Sequence, residues 1–203
     1  MAIKPILFNT EMVRAILDGR KDATRRIVKG FIPDDAVWGY TAFTPKGYIS
    51  CRGTFADGYG EKFFKLPCEP GDILYVRETW YKSPSRYMYR ADYSHTERFY
   101  TNGKEVSIKW HPSIHMPKEA ARIWLKVTNV RVERLQDITI DDIRGEGLSS
   151  VAVHAGDMEI ALEEWKRLWN STIKKPDIDC YGWDASPWVW VIEFERCEKP
   201  ENL

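Results

Sequence analysis

The feature that most limits the fold of this chain is a set of three long runs rich in β-branched and aromatic residues. They lie at 73–81, 122–135 and 188–196 and read ILYVRETWY, RIWLKVTNVRVERL and WVWVIEFER, a composition that favours strands over helices. A shorter run of the same kind, at 3–8, opens the chain. Because strands must pair to satisfy their backbone groups, we expect one unit with a β-rich interior.

Helical patterns are short and few. Asn9 or Thr10 can cap a first helix, which Gly19 ends. Its apolar positions recur at helical spacing: Met12, Val13, Ile16 and Leu17. Thr139 and Asp142 have the spacing of a capping box at the start of a helical segment that breaks at 145–147. With the strands, these helical segments predict an α+β fold.

A further helix is predicted after Asp157, a good N-cap residue. Its expected apolar face consists of Ile160, Ala161, Trp165, Leu168 and Trp169. The segment 174–187, which follows, is predicted to be a loop. Turn signals predict two hairpins, one around 45–47 and one around Asn102-Gly103.

Composition excludes some classes of function. Lys and Arg number 30 and Asp and Glu number 30, so the formal net charge is zero, which argues against broad, non-specific polyanion binding. No apolar run approaches the roughly 20 residues of a membrane span, and the N-terminus lacks the pattern of a signal peptide. We therefore expect a cytoplasmic protein that does not enter a membrane.

The cysteines are scattered, without a CxxC pair, and we expect free thiols. A zinc site from Cys51, Cys68, His111 and His115 is conceivable from the His-x3-His spacing, but no close Cys pair accompanies it. We expect no metal and no cofactor.

A basic turn at 19–26, GRKDATRR, follows the first helix. Its cations can simply complement the helix C-terminus. Alternatively, they can face a phosphate or an oxyanion. Lys21 lies three residues before Thr24, and a Lys in a dry pocket can act as a base toward a hydroxyl or a water. We expect Lys21 to be exposed or in a cleft, and hence to contribute little to stability.

An acidic segment at 141–147, DDIRGEG, is the second place where chemistry is possible. It can be no more than an acidic helix that ends in a glycine cap. Glu146, however, stands between two glycines, where the free backbone can present its carboxylate into a cleft. A carboxylate beside a Lys would orient that Lys.

Aromatic residues make up 13 % of the chain and include nine Trp. Most of them alternate along strands or lie on a helix face, so core packing is the ordinary explanation. Trp38, Trp80 and Trp183 lie nearest to loops and are the candidates for stacking on a nucleobase.

The basic turn resembles the signature of the ASCH family, which has a PUA-like fold. The family pattern Gly-x-Lys-x-x-Glu-x-Arg is matched by Gly19, Lys21 and Arg26, whereas Thr24 stands where the family has Glu. Three more segments resemble the family in the same order: the Gly-Asp of 71–74, the strand-to-helix segment 135–148 and the closing strand 189–194.

The resemblance covers about 3–29, 70–80 and 122–196. It implies a single domain over 1–203, a mixed β-barrel with flanking helices, and β-rich insertions at about 31–68 and 82–120. The sequence of the second insertion resembles that of a family subgroup encoded by phages and prophages.

The resemblance also implies a site. An N4-acetylcytidine amidohydrolase branch of the family carries Thr at the departing position, and its catalytic set falls on Lys21, Thr24 and Glu146. A pocket for a nucleobase, a modified nucleoside or a short RNA segment is implied there. The residues expected to bind substrate or nucleic acid are Arg20, Arg25, Arg26, Trp38 and Trp80.

Three functions stay open at this point. The first is a module that binds RNA or a modified nucleobase without chemistry. The second is a hydrolase that removes an acyl group from the N4 of cytidine or a related base, with Arg26 or nearby amides holding the oxyanion. A ribonuclease is a weaker third. The oligomeric state is not predicted by the sequence.

Overall fold

The computed structural model of the protein describes residues 1–94, 96–101 and 103–201. Within them the strands are β1 (Ile3–Leu7), β2 (Ala23–Ile27), β3 (Val37–Gly39), β4 (Tyr48–Phe55), β5 (Gly58–Lys65), β6 (Ile73–Arg77), β7 (Trp80–Lys82), β8 (Tyr87–Tyr89), β9 (Phe99–Thr101), β10 (Lys104–Val106), β11 (Trp124–Arg134) and β12 (Trp188–Cys197). The helices are α1 (Thr10–Leu17), α2 (Ile140–Gly145), α3 (Val151–Ala155), α4 (Met158–Thr172) and α5 (Ile178–Tyr181).

The central sheet has five strands in the order β1-β6-β11-β12-β2. β1 and β6 run parallel, and the other neighbours are antiparallel. β11 and β12, which come from two of the three long β runs, form the longest ladder, with a register shift between Val127 and Asn129. The strands predicted at 3–8, 122–135 and 188–196 and the α+β class are thereby confirmed.

The two edge strands of this sheet, β1 and β2, are not joined by a backbone ladder among the described residues. A side chain bridges them instead: Arg26 Nη2 donates to the Leu7 carbonyl at 2.9 Å. Strand pairing within the described part of the chain therefore does not close the sheet into the barrel that the resemblance implies.

Two predicted hairpins are present. β3 pairs with β4 across the loop that contains 45–47, and β4 continues into β5 to make a three-stranded sheet. β9 pairs with β10, although Asn102, at the predicted turn, lies outside the described residues. The run 73–81 is divided, because β7 leaves the central sheet after Glu78 and pairs with β8.

The hydrophobic core consists of two clusters, one on each face of β12. Val189 and Val191 face the helices, together with Trp165 and Trp169 of α4. The alternate residues face the opposite cluster, and these are Trp190, Ile192 and Phe194. This period of two puts a different environment on each face of β2, which pairs with β12.

The helix caps agree with the sequence. The side chain of Asn9 accepts a hydrogen bond from Met12 N, and Thr139 and Asp142 form a reciprocal capping box. Three details differ from the prediction. Ile160 is 52 % exposed, because its position on α4 lies outside the stripe that packs on the sheet. The predicted loop 174–187 contains α5, and α3 was not predicted at all.

No helix among the described residues is long and apolar enough to cross a membrane. In the same part of the chain, no group of three or more His, Cys, Asp or Glu side chains is placed to hold a metal ion. Cys51 and Cys68 are buried free thiols, and burial raises the pKa of each to about 11.

Candidate functional site

The basic turn meets the acidic segment through the backbone. After α1, the amides of Arg20 and Lys21 both donate to the Ala15 carbonyl, which turns the chain tightly toward β2. Lys21 then forms an isolated antiparallel bridge with Glu146. The basic turn and the Gly-Glu-Gly segment are therefore neighbours, although 125 positions separate these two residues.

The glycines around Glu146 are needed for this approach. Gly147 has a φ of +94°, and a Cβ there would lie 2.8 Å from Ala15 Cβ and 3.0 Å from Lys21 Cβ. A Cβ on Gly145 would lie 2.7 Å from Asp22 Oδ1. The motif Gly-Glu-Gly thus permits two backbones to pack closely, in addition to freeing the carboxylate between them.

Lys21 and Glu146 form a buried ion pair at the meeting point. Lys21 Nζ lies 2.7 Å from Glu146 Oε2, and the side chains are 0 % and 2 % exposed. Nζ also donates to the carbonyls of Ala23, at 2.7 Å, and of Glu146, at 3.0 Å. All three ammonium hydrogens are used, and the expectation of an exposed or cleft-bound Lys21 is wrong.

Burial sets the protonation chemistry of Lys21. Loss of solvent lowers the pKa of its amine, while the adjacent Glu146 carboxylate opposes that shift by attraction and by its hydrogen bond. The positive charges of Arg26 and Arg25 lower the pKa further. Lys21 therefore releases its proton more readily than an exposed lysine does.

Arg25 holds the second oxygen of Glu146. Its Nη1 lies 3.3 Å from Glu146 Oε1, and its side chain is 0 % exposed. The same guanidinium pairs with Glu133 Oε1 at 2.5 Å and with Asp142 Oδ1 at 3.0 Å. Arg25, predicted to bind substrate, is thus engaged by three carboxylates of the protein, and it acts on the site by fixing Glu146.

The ion cluster extends across β11 and β12. Arg131 pairs with Glu133 and Asp142, each at 3.1 Å, and also with Glu193. Sequence reasoning did not identify Arg131, Glu133 and Glu193 as part of a site, and it included Asp142 only as a member of the acidic segment 141–147. Arg131 and Glu133 alternate on one face of a strand, and Asp142 is the N3 residue of a capping box. Both features are explained locally, so neither pointed to a distant partner.

Thr24 and Arg26 lie on the other face of β2. They pair in register with Ile192 and Trp190, which belong to the opposite cluster. Thr24 is 1 % exposed, and among the described residues no hydrogen bond joins its hydroxyl to Lys21 Nζ. The structure brings Lys21 and Glu146 together, whereas Thr24 is close to Lys21 in sequence but is not bonded to it.

The Arg26 guanidinium lies against the Phe8 ring, 5.3 Å from its centroid. Lys21 Nζ lies 5.5 Å from the centroid of the same ring. Burial lowers the pKa of Arg26, an effect that the Glu146 charge opposes. Lys21 and Arg26 therefore converge on one aromatic ring beside the gap between β1 and β2.

The remaining predicted binding residues lie apart. Arg20 donates to the Gly147 carbonyl at 2.7 Å and pairs with Asp18. Trp38 packs edge-on against Phe64, Trp188 and Trp190. Trp80 packs against Tyr87 and His111. The indole nitrogens of Trp38 and Trp80 are buried without a hydrogen-bond partner among the described residues. Trp183, the third loop-side candidate, is 6 % exposed.

Two cavities reach the surroundings of the ion pair. One, of about 160 Å³, is lined by Asn9, Glu11, Met12, Ala15, Glu146, Gly147, Leu148 and Leu168. The other, of about 310 Å³, is acidic and polar, and its lining includes Asp22, Asp142 and Glu193. Among the three residues predicted to be catalytic, Glu146 lines the smaller cavity and Lys21 lies behind it.

The chain is similar to the ASCH domain from Lactobacillus crispatus JV V101, known from a high-resolution crystal structure. The TM-score is 0.39 and the identity 10 %, over 96 % of this chain and 79 % of that one. No family model matches the sequence, and no curated protein matches it. A likeness at this level does not assign a function.

Proposed function

We propose that the protein binds RNA, or a modified nucleobase or nucleoside, with a base seated in the smaller cavity. The observation that carries this proposal is the cavity's lining, which is largely apolar and includes Glu146, whose carboxylate is held by Lys21 and Arg25. Met12, Ala15, Leu148 and Leu168 supply apolar walls, and the polar residues of the lining are Asn9, Glu11 and Glu146. Its volume of about 160 Å³ suits one six-membered ring, since a cavity of about 150 Å³ admits benzene.

Glu146 keeps hydrogen-bonding capacity in this arrangement. Lys21 occupies one position on Oε2 and Arg25 one on Oε1, while a carboxylate offers about four lone-pair sites. The free positions can accept from an exocyclic amine, as Glu accepts from cytosine N4 in base recognition. The proposal therefore favours cytosine-like bases over uracil.

The arginines have different places in this proposal. Arg25 is a positioning residue, because it holds Glu146 and is buried away from the cavity. Arg20 lines a neighbouring cavity of about 190 Å³, where its guanidinium could exchange its exposed partner Asp18 for a phosphate. The sequence resemblance of the basic turn to the ASCH signature also supports a base-binding role.

The test is titration of the protein with cytidine, N4-acetylcytidine and uridine, followed by calorimetry. Met12→Trp puts a bulky ring into the cavity wall and leaves the ion pair intact, so we expect it to abolish binding. Met158→Trp makes the same change at a position that is 36 % exposed on α4 and serves as the matched control. Equal binding by the two variants would contradict the proposed cavity.

A second candidate is an amidohydrolase acting on N4-acylated cytidine. The observation that favours it is the buried Lys21 amine, whose pKa is lowered by burial and which Glu146 holds in place. In this scheme neutral Lys21 takes a proton from a water that attacks the acyl carbon. The C–N bond breaks, the proton passes to the leaving N4 amine, and cytidine and a carboxylate are released.

The chemical test is incubation with N4-acetylcytidine and chromatography of the products. Lys21→Arg keeps the positive charge beside Glu146 but cannot act as a base, so a true base role predicts a loss of about 10²–10⁴-fold. The wild-type rate should rise with pH through the lowered pKa of Lys21. Turnover by Lys21→Arg at the wild-type rate would reject Lys21 as the base, and no turnover by the wild type would reject the hydrolase and leave the binding proposal standing.

A further inference from the structure

The exposed aromatic rings of the protein are concentrated in one part of the chain. In the part of the chain that the structure describes, six Phe or Tyr side chains are strongly exposed. Five of them fall within 31–63: Phe31, Tyr40, Phe43, Tyr59 and Phe63. Exposed rings in such density cost free energy in water and mark a surface that meets a partner.

The three-stranded sheet β3-β4-β5 presents two of these rings on its outer face. Trp38, Cys51 and Lys62 share one face in register, and Trp38 packs there against the core aromatics. The alternate residues form the opposite face, which we call the open face. It consists of Val37, Gly39, Tyr48, Ser50, Arg52, Thr54, Tyr59, Glu61, Phe63 and Lys65.

Tyr59 and Phe63 stand four residues apart on β5, so their Cα atoms are about 13 Å apart along the strand. Arg52 pairs in register with Glu61, which places it diagonal to both rings on the neighbouring strand. Tyr59 is 74 % exposed and Phe63 39 %. The open face therefore carries two accessible rings on β5, with Glu61 between them and Arg52 opposite Glu61 on β4.

The two cations of the open face, Arg52 and Lys65, are not used in ion pairs within the described part of the chain. By contrast, Arg25, Arg122 and Arg131 are each paired with carboxylates. The acids nearby are partly occupied: Glu61 accepts from Ser50 Oγ, and Asp35 accepts from Thr54. Two free cations beside two free rings complement a phosphate backbone that carries unpaired bases.

From this arrangement we propose that the open face binds single-stranded RNA, with bases stacked on Tyr59 and Phe63 and phosphates contacted by Arg52 and Lys65. The proposal rests on the proposed function in one respect, that the ligand of the base cavity belongs to RNA. Stacking is tolerant of sequence, so this surface would supply affinity while the cavity selects the base.

The test is fluorescence anisotropy with a fluorescein-labelled oligouridylate of about 12 nucleotides, a length within the usual site size of such surfaces. Tyr59→Ala combined with Phe63→Ala should weaken binding by about 10-fold or more. Arg52→Gln combined with Lys65→Gln should lower the salt slope of log K by about 1.4, because two phosphates are then no longer neutralised. The matched control is Lys62→Gln, which removes a similar charge from the other face of β5 and should leave the affinity within about twofold.

Separate outcomes distinguish this surface from the cavity. If the Tyr59→Ala, Phe63→Ala variant binds oligouridylate as well as the wild type does, the proposal for the open face is rejected. The proposal for the cavity is then unaffected. Nucleoside binding that is blocked by Met12→Trp, together with no affinity for oligouridylate, also overturns the open face. A change of sedimentation from dimer to monomer in the ring variant, with RNA affinity unchanged, would make the face a protein interface and reject the proposal.

Discussion

Two regions of this protein handle charge in opposite ways. At the junction of β2 with α2, charged side chains are buried and paired, as Lys21, Arg25 and Glu146 show. On the open face of the β3-β4-β5 sheet, Arg52 and Lys65 are exposed without an ion pair among the described residues. Both regions are strands with similar residue types. The difference is the layer above them, since helices cover β2 and none covers the open face in the described chain.

The buried charges fix the geometry of a site, whereas the exposed charges are free to contact a ligand. Buried pairs lose solvent and must satisfy each other, so they hold a geometry such as that of the Glu146 carboxylate. Unpaired surface cations keep their solvation and can exchange it for a ligand's phosphate. We therefore expect substitutions at the junction to act on stability first and substitutions on the open face to act on binding alone.

The largest expected loss of stability comes from a substitution in the core between these two regions. Trp190 is 6 % exposed and packs with Trp38, so Trp190→Ala should cost about 3–5 kcal/mol of unfolding free energy. Phe63→Ala, on the open face, should cost less because its side chain is 39 % exposed and so loses less burial. Urea denaturation of both variants measures the difference. A mild effect at Trp190 would contradict its place in the core.

Glu146→Gln should have the next largest effect and lower the free energy of unfolding by about 3 kcal/mol. The substitution leaves Lys21 and Arg25 buried without their shared carboxylate, and breaking a buried pair costs about 3–5 kcal/mol. Glu61→Gln makes the same change on the open face and should lie within about 0.5 kcal/mol of the wild type. Equal losses at the two sites would remove the distinction between the regions.

A smaller effect is expected from two glycines with positive φ. Gly147→Ala adds backbone strain at φ +94° and a Cβ that would lie 2.8 Å from Ala15 Cβ, so it should cost about 1–3 kcal/mol or more. Gly58→Ala, at φ +108° in the three-stranded sheet, meets nothing within 4 Å and isolates the backbone cost. Thermal melts compare the two. If Gly58→Ala were the more destabilising, the close approach at the junction would not be a constraint.

The smallest expected effect is at Asp72, whose contribution to stability depends on pH. Burial of Asp72 raises the pKa of its carboxyl, but hydrogen bonds from Ala2 N, the Lys4 ammonium and Glu69 N outweigh this and leave the pKa lowered. A depressed carboxyl pKa stabilises the fold above the unfolded value of about 3.9, and that contribution is lost as the pH falls through the folded pKa.

Asp72→Asn should therefore cost about 0.5–1.5 kcal/mol near neutral pH, and the difference from the wild type should shrink as the pH falls below about 3.9. Denaturation curves across the acid range test this. A difference between the two proteins that stays constant with pH would show that the Asp72 charge is not responsible.

Asp72 belongs to a sequence motif that has a structural role in this fold. The Gly-Asp of 71–74 contributed to the family resemblance, and here it joins strands. Gly71 N donates to the Val127 carbonyl, and Val127 N donates to the Asp72 carbonyl. The Asp72 carboxylate holds the start of β1 through Ala2 N. The motif thus fixes where β1, β6 and β11 meet, which is a structural reason for its presence.

Much of the local structure could be predicted from the sequence. The side chain of Asn9 caps α1, Thr139 and Asp142 cap α2, and the long β runs become β6, β11 and β12. These features depend on residues only a few positions apart, whose spacing is visible in the sequence. Spacing alone gave the wrong result for a short element, α5, and for Ile160, which lies beside the packed stripe of α4 and is exposed.

The sequence by itself determined that a basic turn and a Gly-Glu-Gly segment would be present, each with side chains able to do chemistry. Only the tertiary structure decided that Lys21 and Glu146 are partners, that Arg25 faces the helices and that Thr24 faces the opposite core. The physical reason is that strand order, and not distance along the chain, brings β2 beside β12 and the end of α2. Burial then converts ordinary surface charges into a fixed, desolvated ion cluster.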